Sequence, residues 1–240
     1  MFDGPMGPWS YEVGLAVAGA TGEHPLAMKL AVAFLAGLGL AARATAQQTP
    51  PPPATPAADS PSWEFNLAGA LYVLPDEEDF VQPTFRADRG KLHLETRYNY
   101  EDRDSVSLFA GANFEFGDKV SFTLTPMLGG LAGTTDGIVP AFEASLSVSK
   151  LEAYAEAEYV FDLGDSSSNY FYMWSEVSLW PTEWLRAGLV TQRTRVYQTE
   201  RDIQRGLLVG FSYRKLDGTV YFFNPGSDDH FTVVSLGVSF

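Results

Sequence analysis

From Trp63 to the C-terminus, apolar and polar side chains alternate every second residue in run after run, the period of a strand with two different faces. In "WEFNLAGALYV" Trp63, Phe65, Leu67, Leu71 and Val73 share one parity. "KLHLETRYNY" sets Leu92, Leu94, Tyr98 and Tyr100 against His93, Glu95, Arg97 and Asn99. "VSLFAGANFEF" sets Val106, Leu108, Ala110, Ala112, Phe114 and Phe116 against Ser107, Gly111, Asn113 and Glu115. "FVQPTFRA", "KVSFTLTPML", "GIVPAFEASLSV", "NYFYMWSEVSLW", "WLRAGLVTQ", "QRGLLVGFSY", "TVYFFN" and "HFTVVSLGVSF" continue the series. One stretch is ambiguous. "KLEAYAEAEYVFD" is rich in the helix formers Glu and Ala, with Leu151, Ala155 and Tyr159 at helical spacing. It also alternates strictly, and among so many strands it reads as one, which brings the total to twelve.

The connections fall into two alternating classes. Arg89-Gly90, Gly117-Asp118-Lys119, Ser149-Lys150, Pro181-Thr182-Glu183 and Lys215-Leu216-Asp217-Gly218 are minimal. "PDEED", "EDRD", "GGLAGTTDG", "DLGDSSSN", "RVYQTERD" and "PGSDD" are mostly longer and more polar. Short turns at one end and longer loops at the other are the habit of transmembrane β-barrels. An even strand number sets both ends of the barrel on the short-turn side. On the apolar parity, aromatic residues gather near both strand ends, as at two bilayer interfaces. Tyr98, Tyr100, Tyr159, Phe161 and Phe171 fall at the long-loop end, and Phe116, Tyr213 and Phe240 at the other.

The first sixty residues read differently. Residues 1–27 are broken by Gly and Pro, without periodicity, and read as a non-native extension. Residues 28–46 have the order of a secretory signal peptide: Lys29, an apolar run from Leu30 to Ala42, and an Ala44-Thr45-Ala46 site before Gln47. The apolar run is too short to cross a bilayer as a helix. Residues 47–62, "QQTPPPPATPAADSPS", read as an extended proline-rich periplasmic linker. The folded unit is then residues 63–240.

The chain ends "TVVSLGVSF", with Val234, Leu236, Val238 and Phe240 on one parity and the aromatic last. This resembles the terminal insertion signal of Gram-negative outer-membrane β-barrel proteins, a general porin-like class. The resemblance covers Trp63–Phe240 as architecture and the last strand as a motif. It implies an all-β, antiparallel up-and-down barrel of about twelve strands, located in the outer membrane. The partners it implies are the lipid bilayer, lipopolysaccharide, the barrel-assembly machinery and periplasmic chaperones.

Composition narrows the chemistry. A net charge of −14 and a pI near 4.5 leave no basic patch for nucleic acid. The absence of Cys excludes thiol catalysis and zinc–thiolate sites. No cofactor is implied, and oligomeric state is not legible.

If the apolar parity meets lipid, the other parity lines the lumen. Glu143, Glu152, Glu156, Glu158 and Glu176 then form an acidic wall on three consecutive strands. Arg86, His93, Glu95, Arg97 and Arg186 supply basic and polar groups, with Arg193, Arg195 and Arg205 near the mouth. A two-residue Arg89-Gly90 turn pairs Arg86 with His93 and Thr84 with Glu95. A Ser149-Lys150 turn sets Glu143 opposite Glu156, a like-charge pair that is destabilising unless a proton or a cation is near.

Two readings stay open. Opposed charges make a transverse field across a wet constriction, as in general porins, giving a passive channel for small hydrophilic solutes. Alternatively, carboxylates and guanidiniums bridge and plug a structural or adhesive barrel. A lipid hydrolase or acyltransferase is a third class. Beyond the signal segment, though, the only histidines are His93, facing inward, and His230, at the long-loop rim. No G-x-S-x-G, metal-spaced His cluster or phosphate loop is present. Acids at "PDEED" and "DRD" are candidates for Ca²⁺ bridging to lipopolysaccharide, with plain solvation as the alternative.

Overall fold

The structure is a computed structural model that describes residues 61–75, 77–196 and 202–240. The expectations for residues 1–27, for the signal segment with its Ala44, Ala46 and Gln47 site, and for nearly all of the linker lie outside the described residues.

The strands are β1 (Glu64–Val73), β2 (Phe80–Arg89), β3 (Leu92–Tyr98), β4 (Val106–Ala112), β5 (Phe114–Phe116), β6 (Val120–Ala132) and β7 (Gly137–Val148). There follow β8 (Leu151–Asp162), β9 (Tyr170–Leu179), β10 (Leu185–Val196), β11 (Asp202–Tyr213), β12 (Leu216–Phe223) and β13 (Phe231–Ser239). Each pairs antiparallel with its neighbours, and β1 pairs with β13 to close the sheet. The seam ends in a reciprocal pair of backbone hydrogen bonds between Phe65 and Phe240, 3.0 and 2.9 Å. The segments β4 and β5 lie in line along the same edge of β6, so the thirteen segments make twelve barrel strands. "KLEAYAEAEYVFD" is strand β8. Tertiary pairing on both edges overrides its helical composition.

Twelve strands about 4.8 Å apart, tilted by about 40°, close into a cylinder roughly 24 Å across. The outward parity is as apolar as the alternation predicts. Leu128, Leu189 and Leu236 are 59–61% exposed, and Leu67, Leu108, Leu207 and Phe240 stand on the same surface. A continuous apolar girdle of this kind belongs in hydrocarbon, where it costs nothing to leave it uncovered by protein. Strands of 10 to 13 residues at that tilt rise roughly 25–33 Å, the thickness of a bilayer core. The chain is a membrane-spanning barrel.

Three prolines interrupt the ladders. Carried past Gly111↔Met127, the β4–β6 register sets Ala112 opposite Pro126, and pairing lapses there before resuming at Phe114↔Leu124. The β7–β8 ladder skips Val139 and Pro140 between Ile138↔Phe161 and Ala141↔Glu158. The β2–β3 ladder stops at Thr84↔Arg97, one residue short of Pro83. A proline has no N–H for a ladder, and all three sit on the lipid-facing parity.

Several local expectations are corrected. The first short turn is Gly90-Lys91, flanked by Arg89↔Leu92, rather than Arg89-Gly90. Gly90 takes the positive φ (59°) that the first position of such a turn demands. Arg86 therefore lies opposite Glu95, and Thr84 opposite Arg97. Similarly, β12 begins at Leu216 after a tight Arg214-Lys215 turn, with Arg214 at φ 58°. Strands β6 and β7 extend into "GGLAGTTDG" and leave only residues 133–136 as loop. Tyr100 is not part of the outer aromatic belt. Asn99 has φ 55°, held by Val81 and Asp104, a left-handed turn that Asn tolerates. It ends the alternation and turns the Tyr100 ring into the lumen, edge-on to Tyr172 at 6.0 Å.

Candidate functional site

The inward parity of β2, β3, β7 and β8 builds a charged strut across the barrel. The observed hairpin register puts Arg86 beside Glu95, to which its Nε donates at 3.0 Å, while Nη2 reaches across the lumen to Glu143 Oε1 at 2.6 Å. Arg97 on β3 donates from Nε to Glu95 Oε1 at 2.5 Å and from Nη1 to Glu158 Oε2 on β8 at 3.0 Å. Its guanidinium is held between the rings of Tyr100 and Phe109, 4.3 and 4.7 Å from their centroids. The Glu95 and Arg97 side chains are 0% and 2% exposed. Two charges taken so fully from water persist only if their hydrogen bonds are met, and here they are.

His93 sits at the foot of this strut. Its Nδ1 lies 2.8 Å from Asp88 and its Nε2 3.2 Å from Glu95. Asp88 also accepts from Asn113 Nδ2 at 2.6 Å, and Asn113 in turn accepts from Thr125 Oγ1 at 2.7 Å. The imidazole is a linker between two carboxylates.

A second, wetter group stands on the opposite wall. Arg186 on β10 donates to Glu176 Oε2 at 2.8 Å and to Thr219 Oγ1 at 3.0 Å, and lies 3.7 Å from Glu152. Glu176 Oε1 accepts from Trp174 Nε1 at 2.9 Å and from the Tyr221 hydroxyl at 2.8 Å. The five acids thus touch arginines rather than only facing them, with one exception. Glu156 stands opposite Glu143 as the turn arithmetic required. Its Oε2 accepts from the Tyr154 hydroxyl at 2.7 Å, its Oε1 is buried and unpaired, and it makes no ion pair among the described residues.

Apolar side chains occupy much of the remaining interior, which the alternation did not reveal. Phe109, Met127, Leu131, Val139 and Val160 pack together towards the long-loop end. Gly129 makes room for this, since a Cβ there would stand 2.4 Å from the Phe109 ring. Across the lumen, Tyr72, Trp174, Leu208, Tyr221, Phe223 and Phe231 belong to a second cluster. "TVYFFN" carries aromatics on both parities, a sign that its inner face is packed as well.

Two cavities stand out among the described residues. One, of about 160 Å³, opens at the long-loop end between Phe80, Glu101, Tyr170 and Phe231. The other, of about 290 Å³, lies deeper, between Ala68 and Ala70 on one side and Arg86, Glu152 and Arg186 on the other. Tyr72, Gln82 and Tyr100 line both and form a waist between them. At the mouth, burial pushes the carboxyl of Glu101 above its usual range, against the pull of Arg97 and the Ser107 hydroxyl. Burial raises Asp102 likewise, though Thr135 Oγ1 and the Arg103 amide both donate to it.

The other expected residues are elsewhere. Arg193 and Arg205 lie on the outward parity of β10 and β11, Arg193 5.5 Å from the Phe171 ring, so neither belongs to the lumen. The Arg195 side chain is outside the described residues. Val234, Leu236 and Val238 point outward along β13, followed by Phe240. His230 is a rim residue, its Nδ1 2.9 Å from Ser227 O.

No family model matches the chain, and a search of curated proteins finds no match. Among solved structures it is similar to the KdgM porin, at 11% identity over 74% of this chain and 98% of that one, with a TM-score of 0.49. It is similar to the NanC porin at 12% identity over 73% and 98%, TM-score 0.48. OccK5 of Pseudomonas aeruginosa matches at 9% identity over 74% of this chain and 66% of its own, TM-score 0.39. These likenesses are of barrel architecture.

Proposed function

We propose that the chain is a narrow, passive, porin-like channel of the bacterial outer membrane for small hydrophilic solutes. The observation that carries this reading is the pair of cavities that meet at Tyr72, Gln82 and Tyr100. One opens at the long loops and the other lies deeper in the lumen, and the same three side chains border both. Acids dominate the lining, and charge rings set the selectivity of a pore through the local potential. The preference is for cations. Planar-bilayer recording of the refolded protein tests this directly. Glu143→Gln, Glu156→Gln and Glu176→Gln together move the reversal potential in a salt gradient toward anions, a shift that shrinks as the Debye length falls to about 3 Å near 1 M salt. Silence at every voltage and pH ends the channel reading.

The cross-lumen bonds from Arg86 to Glu143 and from Arg97 to Glu158 favour a second reading, a plugged scaffold. It predicts a silent wild type that opens when those partners are removed.

For assembly, we read Val234, Leu236, Val238 and Phe240 as the signal taken by the barrel-assembly machinery. Deleting Phe240 lowers the outer-membrane yield and increases periplasmic degradation. Unchanged insertion of a chain ending at Ser239 contradicts this role.

A further inference from the structure

The cavity at the long-loop end has a chemistry that passive permeation does not require. One wall is aromatic, made by Tyr72, Phe80, Tyr172 and Phe231, with the Tyr72 and Phe80 rings stacked at 4.7 Å. The rest of the lining carries Glu77, Glu101, Asp102, Glu158 and Asp229 against Arg103 alone among the described residues. Clustered acids by themselves would be ordinary solvated charge. Here, though, Glu101 Oε2 and Glu158 Oε1 are buried without a hydrogen-bond partner among the described residues, on side chains 0% and 3% exposed. Gln192 Oε1, on β10 and lining the same cavity, is buried and unpaired among the described residues too. Buried polar atoms in folded proteins nearly always have partners. Three buried acceptors on residues that line one aromatic-walled space would be satisfied by a ligand rich in N–H groups.

The barrel shows how such surroundings treat a cation. Arg97 lies between two rings with carboxylates at its edge. Arg103, on the rim of the cavity, stands 4.7 Å over the Phe80 ring and donates to Glu78 O at 2.9 Å. Aromatic faces and carboxylates together are the environment that desolvated organic cations prefer over water.

We propose that this cavity is a binding site for a small organic cation, a primary ammonium or guanidinium on a flat apolar body. The charged head donates to Glu101 Oε2, Glu158 Oε1 and Gln192 Oε1, and the body lies against Tyr72, Tyr172 and Phe231. A volume of about 160 Å³ admits a single-ring solute. As a substrate class the inference rests on the channel reading, because the cavity then stands at the entrance to the path; as a binding site it stands alone. Arg103 Nε is a buried donor without a partner on the same rim, which makes a zwitterion the competing chemistry.

Titration calorimetry of the full chain, refolded in a non-ionic detergent, separates these ligands. Phenethylammonium is expected to bind saturably, and phenylacetate not at all. Glu101→Gln with Glu158→Gln weakens that binding by about tenfold, the effect of losing a charge-assisted partner. Tyr172→Ala weakens it by a smaller factor, and rising salt weakens it in the wild type without any substitution. Phenylalanine or phenylacetate binding as tightly as phenethylammonium overturns the proposal, as does salt-independent affinity. Bilayer recordings beside the calorimetry keep the two readings apart. Binding without conductance retains the site and removes the channel, whereas conductance without binding does the reverse.

Discussion

Two arginines reach into the lumen from opposite walls, and their surroundings differ in a way that separates support from passage. Arg97 is sealed, 2% exposed, between two rings and bonded to Glu95 and Glu158. Arg186 is 16% exposed, has one close carboxylate and one at 3.7 Å, and lines the deeper cavity. Both are ion-paired, yet the same pairing does different work. Removing a partner from a sealed pair leaves an uncompensated charge in low dielectric, while water compensates a pair that it can reach.

The largest effect that tests this contrast is Arg97→Met. It strands Glu158, leaves Glu95 to Arg86 and His93, and is expected to cost about 3–5 kcal/mol, read as a lower urea midpoint for the barrel in lipid vesicles. A loss no larger than that of the Arg186 variant would erase the distinction. Arg186→Met is expected to cost only about 1–2 kcal/mol. Its signature is electrical instead: one positive charge fewer beside Glu152 and Glu176 moves the reversal potential further toward cations. Tyr100→Ala sharpens the comparison from the other side. It strips one ring from Arg97, a loss of about 0.5–2 kcal/mol, and widens the waist, so conductance rises although stability falls.

The smallest effect lies at the mouth. Burial raises the pKa of Asp102 above its ordinary 3.8, so the folded state binds this proton more tightly than the unfolded one. The stability linked to it is fully present below that value and is lost as the pH rises through the raised folded value. Asp102→Asn cannot titrate. It should match the wild type in acid and become the more stable protein as the pH climbs, seen as diverging melting curves between pH 4 and neutrality. A gap that opens on acidification instead reverses the sign and contradicts the burial account.

The barrel itself was legible because lipid on one side and a polar lumen on the other impose strict alternation, and β7 and β8 display it cleanly. The pairing of Glu143 with Glu156 followed from a two-residue turn whose position was read correctly. The neighbour of Arg86 is not legible because "RGK" allows two placements of the turn, and the positive φ of Gly90 in the fold decides between them. The letters put Tyr100 on the outer side because they continue a periodicity that one left-handed residue, Asn99, ends. The interior aromatic clusters stayed hidden for a different reason. An inward Phe223 and an outward Phe222 are the same letter, and hydropathy cannot say which one meets lipid. Nor does parity tell whether opposite charges across a lumen touch, since that depends on side-chain reach and barrel radius together.

The lipid-facing prolines give the wall a mechanical grain. Pro126 interrupts the ladder on one flank of the β6–β7 hairpin and Pro140 the ladder on its other flank, whereas the pairing inside the hairpin is unbroken from Val120↔Val148 to Leu131↔Gly137. The hairpin is a stave with loosened joints along both edges. Its two outer seams each lack ladder pairs that its inner seam keeps, and it carries Glu143, the far anchor of Arg86. The crossbar from Arg86 therefore ends on a segment of wall that its neighbours grip through interrupted ladders on both sides.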